Sequence, residues 1–86
     1  MGTPAEAKEF AGKRILVTGG TKGIGEAIVN RLLAGGGSVL ATARTVPKGV
    51  NAEQFIQADI TTRAGADHII KTTFDRLGGL DILINS

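Results

Sequence analysis

The chain has 86 residues, no Cys, Trp or Tyr, one His, and 10 basic against 8 acidic residues. Disulfides and thiolate metal sites are therefore excluded, as is a polybasic surface for nucleic acid. The only aromatic residues are Phe10, Phe55 and Phe74, too few for a stacking platform on single strands. Hydrophobic residues make up 42%, enough for a packed core, and the 13 glycines are about twice the usual share.

Residues 1–12 read as a leader ending at Gly12. Pro4 and its small neighbours favour irregular backbone, and Glu6, Lys8 and Glu9 break up the apolar stretch of a signal peptide. Met1-Gly2 would suit myristoylation only with Ser or Thr at the sixth position, where Glu6 stands. The apolar runs fall far short of the ~20 residues that span a bilayer. A cytoplasmic location is the expectation.

Arg14–Thr18, RILVT, is a short β-branched run suited to a buried parallel strand. The glycine-rich stretch Gly19–Gly25 follows. Ile24, Ile28 and Leu32, with Ala27 and Leu33 beside them, then predict an amphipathic helix, ended by Gly35-Gly36-Gly37. Ser38–Ala43 is the second predicted strand. Arg44–Glu53, with Pro47 and Gly49, reads as a loop. Phe55–Ala58 is the third predicted strand, ending in Asp59.

Thr61 or Thr62 can cap the next helix. Ala66, Ile69, Ile70, Thr73, Phe74 and Leu77 form its apolar stripe, and Gly78-Gly79 closes it. His68, Asp67, Lys71, Asp75 and Arg76 are assigned to its solvated face. Leu80–Asn85 is the fourth predicted strand. Strands alternating with helical crossovers imply an α/β fold with a parallel sheet and right-handed connections. A buried parallel sheet needs both faces covered. Residues 13–86 are therefore expected to be the front part of a larger α/β domain.

The segment Thr18-Gly19-Gly20-Thr21-Lys22-Gly23-Ile24-Gly25 lies between a predicted strand and a predicted helix. Free N–H groups and the helix dipole favour an anion at such a junction. Gly19 permits the tight turn, Gly23 lets a pyrophosphate approach the backbone, and Gly25 lets the helix pack near the strand. Two neighbouring patterns do not fit. The P-loop needs Lys-Ser/Thr after the last glycine, where Glu26-Ala27 stand. The G-x-G-x-x-G fingerprint needs a glycine where Ile28 stands.

The pattern T-G-x-x-x-G-x-G, formed by Thr18, Gly19, Gly23 and Gly25, resembles the cofactor loop of the short-chain dehydrogenase/reductase family. Ala43-Arg44 after the second strand, Asp59-Ile60 after the third, and Leu83-Ile84-Asn85-Ser86 agree with it in order and spacing. The resemblance covers roughly residues 12–86. It implies a Rossmann-like sheet in the order 3-2-1-4 with the cofactor at the carboxyl ends of the strands. By the same resemblance, Gly19 to Gly25 would hold the pyrophosphate, with the Ile24 amide among the donors. Asp59 would accept a hydrogen bond from the adenine amino group, with Ile60 beside it, and Asn85 would lie under the nicotinamide ribose. Asp59 also reads as a plain helix N-terminal carboxylate, and Asn85 as a strand-end amide satisfied by backbone. Ser86 stands where the family has a second Asn, and Arg44–Glu53 is shorter than the family's helix-bearing connection.

The family's reaction is hydride transfer between a nicotinamide and a carbonyl or alcohol, with a tyrosine as acid or base. Its catalytic Tyr, Lys and Ser follow the fourth strand, so no catalytic residue is assigned here, and the chain alone is expected to be inactive. A small-molecule carbonyl or alcohol substrate and a homo-oligomeric parent are implied; the alternative is a non-enzymatic dinucleotide sensor or scaffold. NADP(H) is expected over NAD, because the end of the second strand carries Ala43 and then Arg44, not a ribose-binding carboxylate. The Arg44 guanidinium can fork onto a 2′-phosphate, and Thr21 and Lys22 lie in the loop beside it, with Lys22 able to add a second charge. No Asp or Glu occurs from Ala27 to Ala52 to repel that phosphate.

Overall fold

The computed structural model describes residues 9–19, 23–46, 48–49 and 52–85. Most of the leader and Gly20, Thr21, Lys22 and Ser86 lie outside the described residues, so the expectations placed on Thr21 and Lys22 do as well. The elements are β1 (Arg14–Thr18), α1 (Gly23–Ala34), β2 (Ser38–Ala43), a 3₁₀ turn (Ala52–Gln54), β3 (Phe55–Gln57), α2 (Arg63–Leu77) and β4 (Ile82–Asn85). They build the expected parallel sheet in the order β3-β2-β1-β4.

Alternation along each strand divides the core in two. Ile15, Val17, Val39 and Ala41 face α1 and pack with its Val29 and Leu32. Leu16, Leu40 and Ile56 face α2 and pack with Ile69. Each such aliphatic side chain contributes roughly 1.5–3 kcal/mol when fully buried, so this double layer is the main source of stability. The register sets Thr18 level with Thr42 on one side and Asn85 on the other. All three strands therefore run out at one height.

The helices stop where the glycines stand. Gly36 follows α1 at φ +86°, and Gly78 caps α2 at φ +75° with its N–H on the Phe74 carbonyl. Thr62 caps the start of α2, its hydroxyl accepting from the Gly65 N–H at 2.9 Å. A Cβ on Gly35 would overlap the Phe10 ring, so this glycine is also needed for the closing turn to pack on the β1 side.

Five details differ from the sequence expectation. The loop after β2 contains the 3₁₀ turn, and β3 ends at Gln57 although the Ala58 N–H still bonds the Ala43 carbonyl. β4 starts at Ile82, because Asp81 is held against Arg14. In α2, Ile69 and Thr73 are buried, whereas Ile70 and Phe74 stay 55% and 51% exposed. One residue turns a helix by about 100°, and the row through 69 and 73 takes the sheet side. Arg76 is not merely solvated: it donates to the carbonyls of Glu53 and Phe55 at 2.8 and 3.1 Å, tying α2 to the start of β3. Among the described residues no helix is long and apolar enough to cross a membrane.

Candidate functional site

The carboxyl ends of the strands carry the sequence-predicted residues. β1 ends in Thr18, buried, and the chain turns at Gly19 with φ +75°, a left-handed conformation that strains any residue with a Cβ. The Gly19 N–H donates to the Thr42 hydroxyl at 3.1 Å. The Thr18 hydroxyl lies 3.0 Å from Asn85 Oδ1 and 3.4 Å from the Ile84 carbonyl. Neighbouring strand ends are thus braced by Thr18, Thr42 and Asn85, and the turn into α1 starts from a fixed point. Asn85 is satisfied in part by this side chain rather than by backbone alone. Gly23 and Gly25 both sit in the first turn of α1, and Gly25 is buried. The first N–H groups of a helix lack an intrahelical acceptor, and the Ile24 amide is one of them by position. The side chain of Ile24 lies outside the described residues.

A second group forms where β2 and β3 run out. Asp59 Oδ1 accepts from the Thr61 N–H at 2.9 Å and the Thr61 hydroxyl at 2.6 Å. The Asp59 carbonyl accepts from the Thr62 hydroxyl at 3.0 Å. The Thr61 hydroxyl, then its N–H, and in smaller part the Arg44 charge, hold the Asp59 carboxyl below the usual carboxylate range. It is ionised at neutral pH, and the reading of Asp59 as a carboxylate preceding a helix describes its local bonding. Ile60, next to it, is 48% exposed.

Arg44 Nε stands 4.0 Å from Asp59 Oδ1, with the Arg44 side chain 75% exposed. The stretch without acidic residues from Ala27 to Ala52 therefore does not leave Arg44 without a carboxylate nearby; the fold brings Asp59 from the segment just after β3. The Gln57 side-chain amide donates to the Arg44 carbonyl at 3.1 Å. Ala43, the residue before Arg44, is buried.

The structure thus brings Gly19, Arg44, Asp59, Ile60 and Asn85 to the same end of the sheet as the start of α1. Sequence reasoning missed Thr42 and Gln57. Thr42 has no local signal, and only the β1–β2 register places its hydroxyl beside Gly19. Gln57 was legible only as an alternating polar strand residue.

A family model described as short chain dehydrogenase matches residues 13–86. The mouse L-fucose dehydrogenase is 31% identical over 88 residues, which cover 95% of this chain and 32% of that one. A 3-oxoacyl-(acyl-carrier-protein) reductase of Salmonella typhimurium is 32% identical over 84 residues, 90% of this chain and 34% of the relative. A crystal structure of a short-chain dehydrogenase from Leptospira borgpetersenii with bound NAD+ superposes with a TM-score of 0.77 at 32% identity, over 99% of this chain and 35% of its own. The chain spans about a third of the length of these relatives. A match that runs from the start of β1 through the strand-end residues of β4 makes the chain a member of the short-chain dehydrogenase family.

Proposed function

We propose that this chain forms the adenosine- and pyrophosphate-binding part of an NADP(H)-dependent oxidoreductase acting on a carbonyl or alcohol. The residues fit such a cofactor. Gly19 turns away from β1 at positive φ, α1 begins at Gly23, and the strand ends offer side chains of both hydrogen-bonding senses. Gly19, Gly23, Gly25 and the Ile24 amide would face the pyrophosphate, with Thr21 and Lys22 beside them. Asp59 and Ile60 would flank the adenine, and Asn85 the nicotinamide ribose. A bound nicotinamide supplies the hydride or accepts it; the residues of this chain bind and orient.

The observation that carries the choice of NADP(H) is the pairing of buried Ala43 with exposed Arg44 at the end of β2. Ala43 offers no acceptor to ribose hydroxyls, whereas the guanidinium can fork onto a 2′-phosphate. The Leptospira relative binds NAD+, so the proposed difference lies in the 2′-phosphate and not in the class of cofactor. These 86 residues contain no Tyr to serve as acid or base, and the chain alone is expected to turn over no carbonyl substrate with reduced nicotinamide. Paired titrations with NADPH and NADH test the reading. Wild-type protein is expected to prefer NADPH by about tenfold or more, since charge-assisted bonds are the strong ones. Equal affinity for the two would overturn the NADP(H) assignment.

A further inference from the structure

We infer that the end of β3 acts as a positioning element for Arg44: Asp59 aims its guanidinium and Gln57 fixes its backbone, so that together they set the preference for a 2′-phosphate. This rests on the NADP(H) reading above. Arg44 is 75% exposed, and a free arginine would spread over many rotamers. Two restraints reduce that freedom. The Gln57 amide holds the Arg44 carbonyl at 3.1 Å, and the preceding Ala43 carbonyl accepts from the Ala58 N–H at 2.9 Å. The backbone from which the side chain springs is therefore pinned to β3.

At the other end, Asp59 approaches Arg44 through Nε at 4.0 Å. A guanidinium has two usable edges. A carboxylate on the Nε side leaves the paired Nη groups for a phosphate, with the forked geometry intact. Asp59 can act as a fixed point because it is itself held. Both hydrogen-bonding groups of Thr61 occupy Oδ1, and the Thr62 hydroxyl and N–H both bond the Asp59 carbonyl.

The opposing effect is repulsion between the Asp59 carboxylate and the phosphate. It acts across the guanidinium, through water, between groups on opposite sides of the arginine, where screening is strong. Orientation is therefore expected to win. The sign of the Asp59 effect decides the matter.

The test uses the intact protein and two ligands that differ by one group, adenosine 2′,5′-bisphosphate and 5′-AMP. The readout is the ratio of their affinities, which an adenine contact or a general loss of fold would leave unmoved. Wild type is expected to favour the bisphosphate. Asp59→Asn and Gln57→Leu are each expected to cut that ratio by about threefold or more, the range of coupling between residues in contact. In an Arg44→Ala background neither change should alter it further. Thr61→Val, which keeps every charge and removes the hydroxyl bond to Asp59 while the backbone N–H stays, should act in the same direction and decides the case if Asp59→Asn binds neither ligand. An unchanged or increased ratio in Asp59→Asn, or equal losses for both ligands, would overturn the inference while leaving the NADP(H) reading in place. A wild-type protein with no preference for the bisphosphate would overturn both.

Discussion

Two arginine–aspartate pairs stand at opposite ends of the same sheet, and they are built differently. At the amino ends of the strands, Arg14 meets Asp81 in a fork, with Nε 3.0 Å from Oδ2 and Nη2 3.2 Å from Oδ1. The Arg14 N–H adds a third bond to Oδ2 at 2.8 Å, and the Asp81 N–H returns one to the Arg14 carbonyl. At the carboxyl ends, Arg44 and Asp59 approach no closer than 4.0 Å. The titration behaviour separates them in the same way. Arg14 is the first cause of the drop in the Asp81 carboxyl, to about 2, whereas the Asp59 drop comes first from Thr61 and only in small part from Arg44. One pair closes the sheet and uses up its arginine. The other leaves an arginine available to a ligand.

Each pair stands over a glycine, and this gives the largest expected effect. A Cβ at Gly65 would overlap the Asp59 carbonyl oxygen, which is backbone held from two sides. Gly65→Ala is expected to cost about 1–3 kcal/mol despite alanine's better helix propensity, seen as a lower urea midpoint of the intact protein. Gly79→Ala is the contrasting case. Its Cβ would meet the Arg14 guanidinium, the end of a flexible side chain rather than backbone, so the group can be displaced at the cost of its bonds to Asp81 and the expected loss is smaller. Equal costs at the two sites would remove the distinction between a rigid and a yielding neighbour.

Next in size is the brace across the ligand-facing end. Thr18→Val deletes the hydroxyl that reaches Asn85 Oδ1 at 3.0 Å from a buried position. A loss of about 1–2 kcal/mol is expected in chemical denaturation, together with weaker binding of the nicotinamide half of a dinucleotide. No change in either quantity would mean that the strand ends are held by the ladder alone.

The smallest effect is the pH dependence of the closing pair. The folded-state pKa of Asp81 lies below its unfolded value, so ionised Asp81 stabilises the fold. That contribution is complete above the unfolded pKa near 4 and is lost as pH falls through about 2. Stability of Asp81→Asn should therefore be lower at neutral pH and flatter than wild type over that acid window. Asp59→Asn should change the same acid limb by removing the carboxylate that the Thr61 bonds favour in its ionised form, and Arg44→Ala should hardly touch it. An acid limb as altered by Arg44→Ala as by Asp81→Asn would contradict the contrast between the pairs.

Much of the architecture was legible in the sequence because it depends on local signals. Short apolar runs marked β1 to β4, and their alternation with helical stripes implied a parallel sheet; the order β3-β2-β1-β4 followed from the resemblance of the loop Thr18–Gly25 and the strand ends to a known family. Gly19 was legible because a strand-to-helix turn at positive φ leaves few other choices. The residues that finish the site were less so. Thr42, Gln57 and the approach of Asp59 to Arg44 arise from register between strands, which no window of sequence contains. The fork between Arg14 and Asp81 joins residues 67 positions apart and has no motif. Ile70 and Phe74 belonged to an apolar stripe by periodicity, but which row of a helix meets the sheet is set by packing against Leu16, Leu40 and Ile56.

The most direct test of this division of labour compares Arg44→Ala with Arg14→Ala in the intact protein, measuring the NADPH-to-NADH affinity ratio and the urea midpoint of each. Arg44→Ala is expected to lower the ratio by about tenfold or more and to leave the midpoint nearly unchanged. Arg14→Ala is expected to lower the midpoint and leave the ratio alone. A ratio that survives Arg44→Ala, or one that falls equally in both variants, would contradict the account.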